Sequence, residues 1–199
     1  KVFELGRNFR NEGVDATRAA VEEITGLSIS YHVLVNMKGF ASLVDAVGGV
    51  KVRVRERTAI GGIGSPITDW IPKGRRTLDG REALWYARSR VQNSDYSRMA
   101  RQKCLMSAML KQLDPNTVLL KATGIAESSK KMLSTDIPAG ELDTFVELAL
   151  KARGAKVSTV SLVPPEIKTG DPDFDKIRRM VAKGVERSEK QEKAPEKKA

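Results

Sequence analysis

The sequence contains one cysteine and one histidine in 199 residues. A lone Cys104 excludes an internal disulfide framework and any zinc site built from several cysteines. A lone His32 excludes a histidine-rich metal centre, and a Ser-His-Asp triad would have to be built on that residue alone. His32 follows Tyr31 at the head of an apolar, alternating run, where a structural histidine is expected. Aromatic residues make up only 5%, which leaves few surfaces for stacking nucleic-acid bases. No run of about 18 apolar residues occurs, so no segment reads as a transmembrane helix. No charged-then-apolar leader opens the chain either. The first residue is Lys1 and not Met, which predicts a processed or truncated product with its membrane anchor upstream.

What the sequence does have is positive charge. The net charge is +10. Residues 51–103 hold thirteen Lys/Arg against five Asp/Glu, so most of the excess sits in about a quarter of the chain. A focused positive field selects an anion: phosphate, nucleic acid or an anionic surface.

Hydrophobic periodicity predicts helices over residues 14–25, 38–46, 80–87, 95–113, 117–133, 138–153 and 173–187. It predicts strands over 29–36, 50–55 and 156–163. In the second of these, Val50, Val52 and Val54 alternate with Lys51, Arg53 and Arg55, so the valines should face a core. Residues 58–77 carry Gly and Pro and read as a long loop. From Lys183 to Ala199 the chain is Lys/Glu/Ala-rich and reads as a disordered tail. Strands interleaved with helices predict an α/β fold, a mixed sandwich, with one domain over 1–182.

The informative stretch is GREALWYARSRVQNSDYSRMARQ, residues 80–102. It places Arg88, Arg90, Arg98 and Arg101 within fourteen residues. Asp95, Arg98 and Gln102 share one face of a helix, with Arg101 to the side. Guanidinium groups meet phosphate oxygens with paired hydrogen bonds and stay ionised. Several of them can stabilise charge growing on a phosphate leaving group. The helix N-terminus near Asp95 adds a positive end. Further along the same helix, Leu105, Met106 and Met109 form an oily stripe. A phosphate head beside the arginines and a hydrocarbon chain beside the methionines would suit an amphiphile. Taken singly, Asp95–Arg98 could be an ordinary surface pair and the stripe plain core.

Three stretches, FASLVDAVGGVKVRV at 40–54, IPKGRRTLDGREALWYARSR at 71–90 and DYSRMARQ at 95–102, resemble the LytR-CpsA-Psr family in order and spacing. The resemblance implies a three-layer α/β/α sandwich with a mixed central sheet and a hydrophobic pocket between sheet and helices. It implies a phosphotransferase that attaches a secondary wall glycopolymer (teichoic acid, capsule or arabinogalactan) to peptidoglycan. The donor would be a polyprenyl-pyrophosphate carrier, at the extracytoplasmic face of a Gram-positive or actinobacterial membrane.

Carried over by position, Arg88, Arg90 and Arg98 are the expected catalytic groups. Lys1, Asp95, Arg101 and Gln102 join them around the pyrophosphate, and Leu105, Met106 and Met109 are expected to line the lipid pocket. Mg²⁺ is the expected cofactor of the complete protein, with its carboxylates upstream of Lys1 and no metal ligand in this chain. Asp45 is read as structural. Two rival readings stand beside this one: a non-catalytic binder of carrier lipid or anionic polymer, and a nucleic-acid-binding regulator. No nucleic-acid partner is expected, since the arginines cluster at a loop–helix junction without a helix-turn-helix signature.

Overall fold

The computed structural model describes residues 10–62, 64–91, 94–128, 132–154, 159–168 and 170–192. In chain order the elements are α1 (Arg10–Thr25), β1 (Val33–Val35), α2 (Met37–Ala46), β2 (Val50–Val54), β3 (Thr58–Ile60), β4 (Asp69–Ile71) and β5 (Gly74–Leu78). They continue with α3 (Gly80–Arg88), α4 (Asp95–Gln112), α5 (Pro115–Ser128), β6 (Leu133–Thr135), α6 (Leu142–Gly154) and α7 (Phe174–Glu192). A short 3-10 turn at Ala139–Glu141 leads into α6. The α/β class expected from the interleaved pattern is what forms. Among the described residues the strands pair as three antiparallel ribbons: β1 with β6, β2 with β5, and β3 with β4.

The chain divides into two compact units, residues 1–32 with 155–199 and residues 33–154. In the first, Ile167, Ile177 and Val181 form a small core, joined by Ile24 of α1 and by Val160, Leu162 and Met180. Arg178 on α7 donates to the Glu23 carbonyl at 3.0 Å. Arg18 donates to Nδ1 of His32 at 3.3 Å, so the single histidine ties α1 to the segment after it.

The second unit holds the larger core. The valines at 50, 52 and 54 are buried while Lys51 and Arg53 between them are exposed, as strict alternation predicts. The ribbon's buried face packs Val50, Val52, Val54 and Leu78 with Tyr86 of α3 and Leu105 of α4. Burying a large aliphatic side chain contributes about 1.5–3 kcal/mol, so this cluster dominates the unit's stability.

Several expectations are corrected. Residues 58–77 are not one loop: they contain β3, β4 and the start of β5. Their Gly and Pro residues punctuate tight turns and do not prevent pairing. Gly61 has φ +107, and a Cβ there would lie 2.1 Å from the Pro66 carbonyl oxygen, so only glycine lets the β3–β4 turn close. The strand expected at 29–36 shrinks to Val33–Val35, and its three residues are exposed. The helix expected at 117–133 ends at Ser128, with Leu133 opening β6. Residues 159–163 carry no regular structure, and 155–158 lie outside the described residues.

The tail expected from Lys183 is helical as far as Glu192, so a boundary at 182 would cut α7. Lys, Glu, Gln and Arg lose little side-chain freedom in a helix. The helix is already nucleated by the buried Ile177 and Val181.

Candidate functional site

The arginine-rich segment is held by a short, well-capped helix. Asp79 accepts from the Glu82 amide at 2.7 Å, and Glu82 accepts from the Asp79 amide at 3.2 Å, a reciprocal capping box. Asp45, at the end of α2, accepts from the Gly80 amide at 2.7 Å. Asp45 is therefore structural, as expected, and it joins two helices as well as shaping the turn after α2. A Cβ on Gly80 would lie 2.1 Å from the Ala41 carbonyl oxygen, so glycine is what allows α3 to start against α2.

α3 buries Gly80, Ala83 and Tyr86 and stops at Ser89, which turns to extended backbone (φ −54, ψ 133). The turn leaves carbonyls at the C-terminal end of α3 without helical partners. α4 supplies the donors. Arg101, nearly buried, donates Nε to the Tyr86 carbonyl at 2.8 Å and Nη2 to the Ser89 carbonyl. Gln102 donates to the Ala87 carbonyl at 3.2 Å. A guanidinium at a helix C-terminus also sits favourably in the helix dipole.

Arg101, expected around the pyrophosphate, is thus corrected: its donors cap α3, whereas Gln102 gives one donor to the same helix end and stays exposed. The signal was present in the helical spacing. Arg101, Leu105, Met109 and Gln112 fall on one face of α4, and this is the face turned to the core.

Leu105 is corrected for the same reason. It is 2% exposed and packs within the main core. Met109 is half-buried against that core. Met106 points away, 62% exposed.

Three arginines remain beside the α3–α4 junction. One oxygen of Asp95 pairs with Arg90 at 3.0 Å and with Arg98 at 3.5 Å, so a single carboxylate holds two guanidiniums together. Arg88 lies over the Trp85 ring, 5.0 Å from its centroid, a cation–π contact that fixes its direction without using its hydrogen-bond donors. Nε of Arg98 and Oγ of Ser89 are both buried with no hydrogen-bond partner among the described residues. Ser94 caps α4 by accepting from the Ser97 amide at 3.4 Å. Lys1, the remaining expected pyrophosphate ligand, lies outside the described residues. With Asp95 counted, Arg88, Arg90 and Arg98 leave two uncompensated positive charges at the junction.

Beside α4 a hollow of about 580 Å³ is lined by Arg55, Tyr86, Ser97, Arg101, Lys103 and Cys104 among others. Burial pushes the Tyr86 phenol up to about 12, and the adjacent Cys104 adds to the shift. Burial also lowers the Arg101 pKa, against the opposing pull of Tyr86 and Glu56.

The LytR_cpsA_psr family model matches residues 2–183. The chain belongs to the LytR_cpsA_psr family. Among LytR_cpsA_psr relatives, a protein of Oceanobacillus iheyensis named polyisoprenyl-teichoic acid–peptidoglycan teichoic acid transferase TagU is 33% identical over 136 residues, 67% of this chain and 41% of that protein. The Bacillus subtilis protein of the same description, TagV, is 26% identical over 189 residues, 88% of this chain and 48% of that protein. The chain therefore spans less than half the length of these relatives. A solved structure titled LytR-Csp2A-Psr enzyme from Actinomyces oris superposes with a TM-score of 0.63 at 19% identity, covering 92% of this chain and 74% of that one. That likeness bears on the fold.

Proposed function

We propose that this LytR_cpsA_psr protein transfers a secondary wall glycopolymer from a polyprenyl-pyrophosphate carrier to peptidoglycan, in the envelope of a Gram-positive or actinobacterial cell. The observation that carries the proposal is the Asp95 bridge. It draws Arg90 and Arg98 together at the junction that follows Arg88, the last residue of α3, and it leaves the buried Nε of Arg98 without an acceptor among the described residues. A pyrophosphate diester carries one negative charge on each phosphorus, which complements the two uncompensated charges of the cluster. Its oxygens would also supply the missing acceptor. The names of the relatives support the same reaction class.

In this reading Arg88, Arg90 and Arg98 bind the diphosphate and are the catalytic residues. A peptidoglycan sugar hydroxyl attacks the phosphorus bearing the glycopolymer and gives up its proton. The bond from that phosphorus to the bridging oxygen breaks, and polyprenyl phosphate leaves with the bonding electrons. The guanidiniums meet that developing charge, the kind of preorganised contact that weighs most in such reactions.

The family resemblance also predicts Mg²⁺, which would neutralise phosphate charge. Among the described residues, no three or more acidic, histidine or cysteine side chains are grouped to hold a metal. Asp95 is already engaged by two arginines. A hard cation needs several oxygen ligands, so the described residues do not fit a metal site by themselves, and no step runs through one.

The test is transfer from a synthetic lipid-linked donor by Arg88→Ala and Arg98→Ala variants. Each is expected to lose about 10²-fold or more in rate, the cost typical of removing one oxyanion donor. Transfer by both variants at the unmodified rate overturns the assignment. Retained donor binding with no transfer by the unmodified protein would favour the non-catalytic binder.

A further inference from the structure

Arg90 stands on a loop, yet both of its neighbours in the chain are seated. On one side, Ser89 is 1% exposed, and its carbonyl accepts from Nη2 of Arg101. On the other, Val91 is half-buried and meets the turn between β3 and β4. A Cβ built on Gly62 would lie 2.2 Å from Cγ2 of Val91, far inside van der Waals contact. The missing side chain at Gly62 is therefore what leaves room for the Val91 methyl group.

The turn that receives Val91 is itself held from several directions. β3 is buried along its length, at Thr58, Ala59 and Ile60, and Ile60 and Ile71 belong to the main core. The Gly62 amide donates to the Ser65 carbonyl at 2.9 Å, and the Thr68 amide to the Ile60 carbonyl at 2.8 Å. Arg81, on the first turn of α3, donates to the Thr68 hydroxyl at 2.8 Å. The hairpin thus touches α3 near its start, through Arg81, and the loop beyond its end, through Val91.

A guanidinium helps phosphoryl transfer only when it is aimed, and a displacement of about 1 Å can cost about 10²-fold in rate. Asp95 holds the guanidinium of Arg90 at 3.0 Å. An ion pair at the tip of a long side chain does not fix where its backbone stands. That end needs its own support, and Ser89 and Val91 supply it from either side.

We propose that Gly62 and Val91 are positioning residues for the transfer reaction: the β3–β4 turn seats Val91, and the seated Val91 aims Arg90 at the diphosphate. This rests on the transfer reading. It adds to it two uncharged residues that act through Arg90.

The test measures transfer from a synthetic lipid-linked donor, with a melting curve for each variant. Val91→Ala is expected to lower kcat about tenfold, with a melting midpoint within about 4 °C of the unmodified protein. Val91→Ile keeps the branched methyl and is expected to keep the rate. Because Val91 acts through Arg90, Val91→Ala/Arg90→Ala is expected to transfer at the rate of Arg90→Ala alone, whereas independent effects would multiply. Gly62→Ala pushes the valine out of its seat and is expected to cost about 10²-fold in kcat. Gly62→Ala/Val91→Ala is expected to return to the Val91→Ala rate, since the new Cβ would lie 3.7 Å from the Cβ of residue 91, an ordinary contact.

The two readings fail separately. Transfer by Arg90→Ala at the unmodified rate sinks the role of Arg90 in the transfer reading, and this proposal with it. Transfer by Val91→Ala at the unmodified rate, with Arg90→Ala impaired, overturns the positioning role alone. A double variant slower than Arg90→Ala by the full Val91→Ala factor overturns it as well.

Discussion

Replacing Arg101 with Met tests whether this arginine serves the fold or the substrate. Met approximates the length of the side chain and keeps the site filled, so cavity formation contributes little. What disappears is a buried fork that donates to the Tyr86 and Ser89 carbonyls. A buried group left without its partner costs about 1–3 kcal/mol. Two such carbonyls would cost about 2–6 kcal/mol, offset in part because a buried cation no longer has to be desolvated. A net loss of about 3 kcal/mol is expected. For a chain of this size each kcal/mol lowers the unfolding midpoint by about 2–4 °C, so the midpoint should fall by about 6–12 °C. Circular dichroism melts and urea titrations read the change directly, with an unaltered urea slope showing that only stability has moved. Arg101→Lys, a single point of charge that cannot span both carbonyls, should recover part of the loss. A variant that melts within about 1 °C of the unmodified protein and yet no longer binds a polyprenyl-pyrophosphate analogue would refute the reasoning and return Arg101 to the phosphate site.

Further outcomes follow from the same geometry. Gly80→Ala drives a Cβ into the Ala41 carbonyl and is expected to cost about 3 kcal/mol or more, read as lost soluble yield and a lower urea midpoint; a stability equal to the unmodified protein would refute the close helix contact. Asp95→Asn should change stability by less than about 1 kcal/mol, because its ion pairs are exposed. It should nonetheless lower kcat for transfer about tenfold or more, because Arg90 and Arg98 lose their common anchor; unchanged kcat and KM would reduce the bridge to an ordinary surface pair. Tyr86, raised by burial to about 12 in the folded protein, ionises near 10 when unfolded. Its stabilising contribution is therefore complete below pH 10 and is lost as the pH rises through 12. The full loss is about 3 kcal/mol, seen as a difference between the unmodified protein and Tyr86→Phe in denaturation across that window; parallel pH profiles would contradict it.

The parts of the fold that were legible in the sequence are those where one element meets one environment. Residues 50–54 alternate because one ribbon face is core and the other water. α4 begins where Ser94 and Asp95 announce a helix N-terminus. The β3–β4 hairpin was not legible, since two three-residue strands are too short for a period to emerge between Gly61, Gly62 and Pro66. The site followed the same rule. Arg90, Asp95 and Arg98 lie near each other in the chain and are brought together by one junction, which Arg88 leads into from the end of α3. Arg101 and Gln102 share their chemistry but face the end of α3, and their partners are backbone carbonyls of ordinary residues that carry no chemical mark in the sequence. The helical spacing that put Arg101 in line with Leu105 was the clue to its burial.

The clasp of Gln112 on Lys51 has a consequence for the protein's behaviour in concentrated solution. A two-stranded ribbon normally offers an open edge of amides and carbonyls to any passing extended chain. At Lys51 both backbone groups point away from β5 and are met by one side-chain amide that mimics the backbone of a third strand. The helix thereby occupies a place on the ribbon's edge where another extended chain could add on, without a bulge or a proline in the valine-rich segment.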